Sequence, residues 1–353
     1  MIIVTGAGGF IGAHLAARLN GLGYRDLVLV DDWNDRTKAQ RLESGLFGQT
    51  VHRDVFPDWL HQNQAYVQQV FHLGARTDTM LMDEEVFDRL NLNYSKEVWR
   101  ICAEFGLPLV YASSAATYGG GEHGFMDGLD GLDRYRPLNP YAWSKHRFDL
   151  WVREQHRTPL RWAGLKFFNV YGPGEGPKGR MASVVWHAYR QIQETGKVQL
   201  FRSHRLDIED GHQSRDFVWV DDVAAVCLWF MTHVHPGGLY NLGSGQARTF
   251  KDLVLALFAS LQLEPRIEFV DTPLSIRDSY QYYTCADMQW MGRLGCEHAF
   301  TSLEEGVASY VRREWEHTAT PIDTKFVKTL RDQFGTHASW SADELRPPAP
   351  PKK

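Results

Sequence analysis

Met1-Ile-Ile-Val-Thr-Gly-Ala-Gly-Gly-Phe-Ile-Gly12 opens the chain, and Leu27-Val-Leu-Val-Asp-Asp32 follows it. The first five residues form a short apolar run of the kind that makes a buried parallel strand. Gly6, Gly9 and Gly12 then fall in a Gly-x-x-Gly-x-x-Gly pattern ahead of a helix expected to begin near Phe10. Gly6 permits the tight turn, Gly9 lets a pyrophosphate approach the backbone at the helix N-terminus, and Gly12 lets the helix lie close on the sheet. Glycine spacing alone is a weak signal. Here a strand precedes it, a helix follows it, and Asp31 stands about 20 residues on at the end of the next apolar run, so the stretch reads as a dinucleotide-binding βα unit.

Outward from that unit, Met1–Thr5, Leu27–Val30, Val70–Leu73, Leu107–Tyr111 and Trp162–Phe168 read as short buried strands separated by segments with helical spacing. This alternation predicts an α/β fold: a Rossmann-type doubly wound parallel sheet with a smaller α/β C-terminal substrate lobe. After Asn169 come Gly- and Pro-rich loops and then helical patterns over Ser183–Thr195 and Phe250–Leu261. The expected organisation is a dinucleotide-binding domain over residues 1–170, to which later segments return, a substrate lobe over 171–316, and an extension over 317–353. That extension ends in Arg346-Pro-Pro-Ala-Pro-Pro-Lys-Lys353, a composition for a flexible, solvated tail.

With 353 residues, 43% hydrophobic and 23% charged, the composition is that of an ordinary globular protein with a large core. A net charge of −5 offers no footprint for nucleic acid or an anionic membrane. Cys102, Cys227, Cys285 and Cys296 form no C-x-x-C pair and read as free thiols of a reducing compartment, Cys227 as a packing residue. Met1 leads straight into the first strand with no secretory signal ahead of it, and no apolar run approaches the ~20 residues that span a bilayer. The expectation is a cytoplasmic protein with no metal site and neither a membrane nor a nucleic acid as partner.

Tyr141 and Lys145 are spaced Tyr-x-x-x-Lys on one expected helix face just after Pro140. A nearby ammonium, together with a nicotinamide's positive charge, would lower the phenol's pKa and make it a usable base. Upstream, Tyr111-Ala-Ser-Ser-Ala-Ala-Thr-Tyr-Gly119 places hydroxyls at the carboxyl end of a buried strand, where the ligand crevice of such a sheet lies. Tyr-x-x-x-Lys alone is common on amphipathic helices; the two motifs in this order behind a nucleotide site point to catalysis. Around the ribose, Asp31 and Asp32 favour NAD, while Arg36, Lys38 and Arg53 supply cations for the 2′-phosphate of NADP.

At these residues the chain resembles the extended short-chain dehydrogenase/reductases, and within them the ADP-L-glycero-D-manno-heptose 6-epimerase family, from residue 1 to about 316. Tyr111–Gly120, Asn93–Glu97, Arg215-Asp-Phe-Val218, Tyr240-Asn-Leu-Gly243 and Tyr280-Gln281 ahead of Ala286-Asp287 all match its segments. Most diagnostic is Phe167-Phe-Asn-Val-Tyr-Gly-Pro-Gly-Glu-Gly-Pro-Lys-Gly-Arg-Met-Ala-Ser183. The resemblance implies a homo-oligomeric isomerase that inverts C6″ of ADP-D-glycero-D-manno-heptose, by hydride removal and return through a ketone, for lipopolysaccharide inner-core synthesis. It implies a tightly bound NADP, with NAD the alternative.

By the same resemblance Tyr141 is one acid/base, Lys145 supports it, Ser114 hydrogen-bonds the reacting oxygen, and Lys178 is the second acid/base. Ser114, Asn169, Lys178, Arg180, His187, Phe201, Arg215 and Tyr280 fall to the substrate. To the dinucleotide fall Gly6, Gly9, Phe10, Ile11, Gly12, Asp31, Asp32, Lys38, Arg53, Leu73, Gly74, Ala75, Asn91, Tyr141, Lys145 and Val170.

The chain departs from the family at Arg180, where a small polar residue is usual, at Asp32, which replaces an uncharged one, and in the longer segment Arg202–Ser214. Beside Lys178, Arg180 could depress the amine's pKa or grip a phosphate. On residue chemistry alone Lys178 is equally a pyrophosphate ligand, and a lysine of reference pKa ~10.4 needs desolvation or a cationic neighbour to act as a base. His187 reads equally as a buried helix residue. Arg215 is a bidentate diphosphate ligand or else a surface partner of Asp216 or Asp221. Trp186, Trp219 and Trp229 read as core, with one available to stack on adenine. Another nucleotide-sugar 4-epimerase, a 4,6-dehydratase and a non-catalytic NAD(P)-binding protein are the competing readings. A dehydratase would be expected to carry an acid pair after the first serine motif, and Ser113–Thr117 holds none.

Overall fold

The computed structural model describes residues 1–317 apart from 36, 39–41, 43–44, 46 and 278–279. The expectations for Arg36 and for the tail beyond His317 therefore lie outside the described residues. Strands β1 (Ile2–Thr5), β2 (Leu27–Asp31), β3 (Gln49–His52), β4 (Gln69–His72), β5 (Leu109–Ser114) and β6 (Trp162–Phe167) enter one sheet in turn. After β7 (Asn169–Tyr171), β8 (Val198–Phe201) and β9 (Ser214–Trp219), the chain returns to that sheet with β10 (Gly238–Leu242). The order is β10-β6-β5-β4-β1-β2-β3, every pair parallel. Strand order reverses at β1, which lies between β2 and β4, and the carboxyl ends of these strands open the crevice where such sheets bind ligands.

The apolar runs form strands because both faces are covered. Ile3, Val28, Val30, Val70 and Tyr111 face one core with Trp99, Phe148 and Trp162. Their neighbours Ile2, Val4, Leu29, Phe71 and Val110 face another with Leu15, Leu19, Val223 and Phe230. The helices are α1 (Phe10–Gly21), α2 (Phe56–Asn63), α3 (Tyr94–Phe105), α4 (Pro140–Arg153), α5 (Val184–Thr195), α6 (Val220–Thr232), α7 (Phe250–Ser260) and α8 (Leu303–His317), besides shorter turns. None in the described residues is long and apolar enough to cross a membrane.

Two of the seven strands carry no apolar run. β3 is an edge strand with Gln49 and Thr50 exposed, so little selects apolar residues there. β10 is buried throughout, yet includes Asn241, whose amide is saturated: Nδ2 donates to Phe125 O (2.7 Å) and Asp287 O (3.0 Å), and Oδ1 accepts from Tyr118 Oη (2.6 Å).

A second assembly holds β7, β9 and β11 (Ala247–Thr249) in the order β11-β9-β7, and pairs β8 with β12 (Ile267–Val270). Its core joins Tyr171, Ile192, Phe217 and Trp219 to Leu253, Leu257 and Tyr310. The expected helices here start at their caps. Ser183 Oγ accepts from Trp186 N ahead of α5, and Thr249 with Asp252 forms a capping box on α7.

One ion pair lies wholly inside the large sheet: Lys166 Nζ on β6 meets Asp149 Oδ2 on α4 at 2.6 Å, both side chains 0% exposed. Tyr111 Oη (3.2 Å) and Ser113 Oγ (2.7 Å) donate to the same carboxylate, and Lys166 also donates to Thr117 Oγ1 (2.8 Å). Asp149→Asn leaves Lys166 as a buried cation without its counter-charge and should destabilise the fold by about 3–5 kcal/mol in denaturant unfolding. The double change Asp149→Leu, Lys166→Met should recover most of that loss.

Candidate active site

The nucleotide end of the crevice is built where three segments meet. Gly6 has φ +69°, and a Cβ on it would stand 2.7 Å from the Gly74 backbone. A Cβ on Gly12 would stand 2.1 Å from Gly6 O, so only glycine lets α1 start this close to the turn. Leu73, Gly74 and Ala75 follow β4, with Gly74 N donating to Thr5 Oγ1 (3.1 Å). Phe10 is buried and Ile11 half-buried at the head of α1.

Asp31 Oδ2 accepts from Gly8 N (2.9 Å), and its Oδ1 from Lys38 Nζ (2.7 Å) and Asp32 N (2.7 Å). Asp32 pairs with Arg53 at 2.9 Å. Burial pushes the Asp32 carboxyl up, but the Arg53 charge and hydrogen bonds from Asn34 and His52 outweigh it and hold it below the usual range. Each acid beside the expected ribose thus has a cation on it. The buried Arg53 Nε, 3.4 Å from Asp54, has no hydrogen-bond partner among the described residues. A tight backbone cradle ending in two acids, two cations and an unfilled donor fits a dinucleotide.

At the end of β5, Ser114 Oγ accepts from Ala116 N (3.2 Å) and turns the chain into the short helix Ala115–Tyr118. Asn139 Oδ1 accepts from Ala142 N (2.9 Å) and caps α4, with Pro140 in its first turn. Tyr141, Lys145 and Asp149 then follow at intervals of four on one helix face. Lys145 Nζ donates to Ala112 O (2.8 Å); burial pushes this amine down to about 8, against the opposing pull of Asp149. Burial raises the Tyr141 phenol, and a hydrogen bond with Ser114 pulls it back. Desolvation of the phenolate is thus the largest influence on this phenol, with Ser114 opposing it.

Asn91 fastens this helix to the nucleotide side. Its Nδ2 donates to Arg76 O (3.0 Å) and Ser144 Oγ (2.9 Å), while Oδ1 accepts from Arg76 N (2.8 Å). Beneath lies His72, between Thr5 Oγ1 and Ser95 Oγ at 2.9 Å each, pushed down to about 3 by burial and by the Lys145 charge.

Beyond β6, Asn169 is exposed and Val170 half-buried on β7. Lys178, in the short helix Gly176–Met181, holds its Nζ 5.1 Å from the centre of the Phe10 ring. Arg180, 63% exposed, instead donates to Asp78 Oδ2 (2.8 Å), so its charge is shared with a carboxylate of the loop after β4. His187 on α5 sets its ring edge-on to Trp186, 5.0 Å away.

Phe201, Arg215 and Tyr280 come together: the Phe201 and Tyr280 rings lie 6.1 Å apart, and the Arg215 guanidinium stands 5.6 Å from the Tyr280 ring and 5.4 Å from that of Phe250. Arg215 is buried and bonds to Ser214 O and Gln281 O. Neither acid weighed against it is its partner. Asp216 accepts from Ser244 N, Gly245 N and Ala286 N, and Asp221 from Trp219 Nε1, with Arg313 at 2.7 Å.

Several residues that build the site were given no role from the sequence: Asp149 on the Tyr141 helix with Lys166 behind it, His72 beneath Lys145, and Glu175, wholly buried in the loop of Lys178. Only Glu175 left a trace in the sequence, as a lone acid within Pro173-Gly-Glu-Gly-Pro177.

Residues 2–243 match the model of the NAD dependent epimerase/dehydratase family. Over 89% of its length the chain is 43% identical to a protein of Nitratidesulfovibrio vulgaris named ADP-L-glycero-D-manno-heptose-6-epimerase, covering 97% of that relative. A Pseudomonas aeruginosa protein of the same name is 40% identical over 88% of this chain and 98% of its own. The chain belongs to the ADP-L-glycero-D-manno-heptose-6-epimerase branch of this NAD dependent epimerase/dehydratase family. The crystal structure of the Helicobacter pylori enzyme of that name, 24% identical, shares the fold with a TM-score of 0.74 over 88% of this chain and 95% of its own. The family works with a nicotinamide dinucleotide, the epimerase activity of the named relatives is an isomerisation, and this chain is an isomerase of the same kind.

Gly12→Ala should leave a protein that retains no dinucleotide through purification, because the Cβ forces α1 off the turn. Ultraviolet absorbance of the supernatant after acid denaturation, against the wild-type release, measures this.

Proposed function

We propose that this enzyme converts ADP-D-glycero-D-manno-heptose to ADP-L-glycero-D-manno-heptose by inverting C6″, as a step toward the lipopolysaccharide inner core. The observation that carries the reading is one side-chain set: Tyr141 with Ser114 and Lys145 at the end of β5, and Lys178 over Phe10 at the head of the nucleotide helix. The relatives' names supply the substrate. A bound nicotinamide supplies reversible uptake of hydride from a secondary alcohol carbon.

The chain's own residues supply the protons. Tyr141 takes the hydroxyl proton in the half-reaction on one face, with Ser114 holding the reacting oxygen, and Lys178 gives a proton to the ketone oxygen in the half-reaction on the other. Lys145, fixed on Ala112 O, supports the phenol's charged form from below. Lys178 serves the opposite face, since inversion with two fixed bases needs a proton partner on each side. Arg215, seated between Phe250 and Tyr280, binds the diphosphate, with Asn169, His187, Phe201 and Arg180 completing the substrate contacts.

The dinucleotide in this reading is NADP, retained through the cycle. Lys38 and Arg53 neutralise Asp31 and Asp32, and the unfilled Arg53 Nε supports a phosphate there. The same reading makes the enzyme a cytoplasmic homo-oligomer, on the family resemblance alone.

Incubation of purified protein with ADP-D-glycero-D-manno-heptose and no added cofactor should give the L-glycero product by NMR; an unchanged heptose alongside turnover of a UDP- or GDP-sugar overturns the reading. Mass spectrometry of the released dinucleotide should find NADP, and finding NAD overturns that assignment. Tyr141→Phe and Lys178→Met should each lower kcat by about 10²–10⁴-fold with the dinucleotide retained. A Lys178→Met effect confined to KM would instead make Lys178 a phosphate ligand.

A further inference from the structure

Between Gly174 and Met181 a single side chain is wholly buried: Glu175 is 0% exposed, while Lys178 and Met181 are half-buried and Arg180 is tied at the surface to Asp78. Glu175 Oε2 accepts from Ser183 N and its Oε1 from Ser183 Oγ, both at 2.6 Å, short charge-assisted bonds that use both carboxylate oxygens. Its own carbonyl accepts from Lys178 N (2.8 Å), closing the turn from which Lys178 projects. Two further contacts hold the approach to this turn: Gly174 N donates to Glu314 Oε1 (3.1 Å) on α8, and His14 Nε2 lies 2.9 Å from Pro173 O.

Taking a carboxylate fully out of water is costly unless its bonds are met. A glutamate here is therefore a poor choice for mere packing. What it accomplishes is a rigid link between a glycine-rich turn and the capped start of α5, because Ser183 Oγ also accepts from Trp186 N.

We propose that Glu175 is the positioning residue for Lys178: its buried carboxylate locks the turn onto Ser183 and so sets where the ammonium stands over Phe10. The inference deepens the two-base reading and rests on Lys178 as the second acid/base. Glu175 touches neither substrate nor dinucleotide in this scheme; it acts through Lys178. Burial raises the Glu175 carboxyl, and the two hydrogen bonds from Ser183 and then the charge of Lys178 pull it back.

Glu175→Gln keeps the shape but offers one accepting oxygen in place of two. The holoenzyme variant should lose about 10²-fold in kcat, the scale of a small misplacement of a reacting group, with KM and bound dinucleotide unchanged. Acetic anhydride labelling of the holoenzyme, read by peptide mass spectrometry, should show a changed reactivity of Lys178 with Lys197 as the unchanged internal control. Ser183→Ala removes one of the two bonds and should shift both readouts the same way by about tenfold or less, so the test stands if Glu175→Gln fails to fold. Unchanged kcat in both variants, or a loss of kcat with Lys178 labelling unchanged, overturns the positioning role. Near-wild-type turnover of Lys178→Met overturns the two-base reading instead, while the labelling still decides whether Glu175 holds the turn.

Discussion

The buried pair of Asp149 and Lys166 is the contact on which the arrangement of the site depends. Two charges removed from water cost more than their attraction returns unless the remaining hydrogen-bonding capacity is met. Here it is met by Tyr111, Ser113 and Thr117, all from β5 and the turn after it. The network therefore binds α4, β5 and β6 in one register. Asp149 stands eight residues after Tyr141 and four after Lys145, so the face that carries the phenol and the amine is the face tied to the sheet. A hydrophobic pair of similar volume could fill the same space, but it would not choose one register of the helix against the strand end.

A second set of contacts brings the late part of the chain to the nucleotide helix. His14 lies against Pro173 O and 3.4 Å from Asp221, which pairs in turn with Arg313 of α8. Burial works against the Asp221 carboxylate, yet His14 and Arg313 outweigh it and hold it well below the usual range. Phe10, one turn earlier, lies under Lys178. The first turns of α1 thus follow directly on the glycine turn and also form the floor for the loop of Lys178. Arg180 adds a bridge across the same gap through Asp78, at the surface, where a single pair contributes little to stability.

Much of this was legible in the residues because local physics wrote it there. Gly6 and Gly12 are required by backbone approaches that no Cβ survives, and that constraint shows as spacing. Five of the seven strands of the large sheet read as apolar runs because both of their faces are covered. Tyr141 and Lys145 share a helix face by periodicity alone. Where one of these reasons was missing, the reading stopped. β3 is an edge strand with little burial to mark it, and β10 buries an asparagine whose partners come from residues 118, 125 and 287.

By itself, then, the sequence determined the fold class, the glycine turn between β1 and α1 and the helix face that Tyr141 shares with Lys145, since each follows from short-range sterics, periodicity or a motif. Only the tertiary structure decided which charges meet. It set Arg180 on Asp78, freed Arg215 from Asp216 and Asp221, paired Lys38 with Asp31 and Arg53 with Asp32, and buried Glu175 behind Lys178. Those pairings join residues up to about a hundred positions apart, and a buried charge takes whatever partner the packing of the chain brings within about 3 Å.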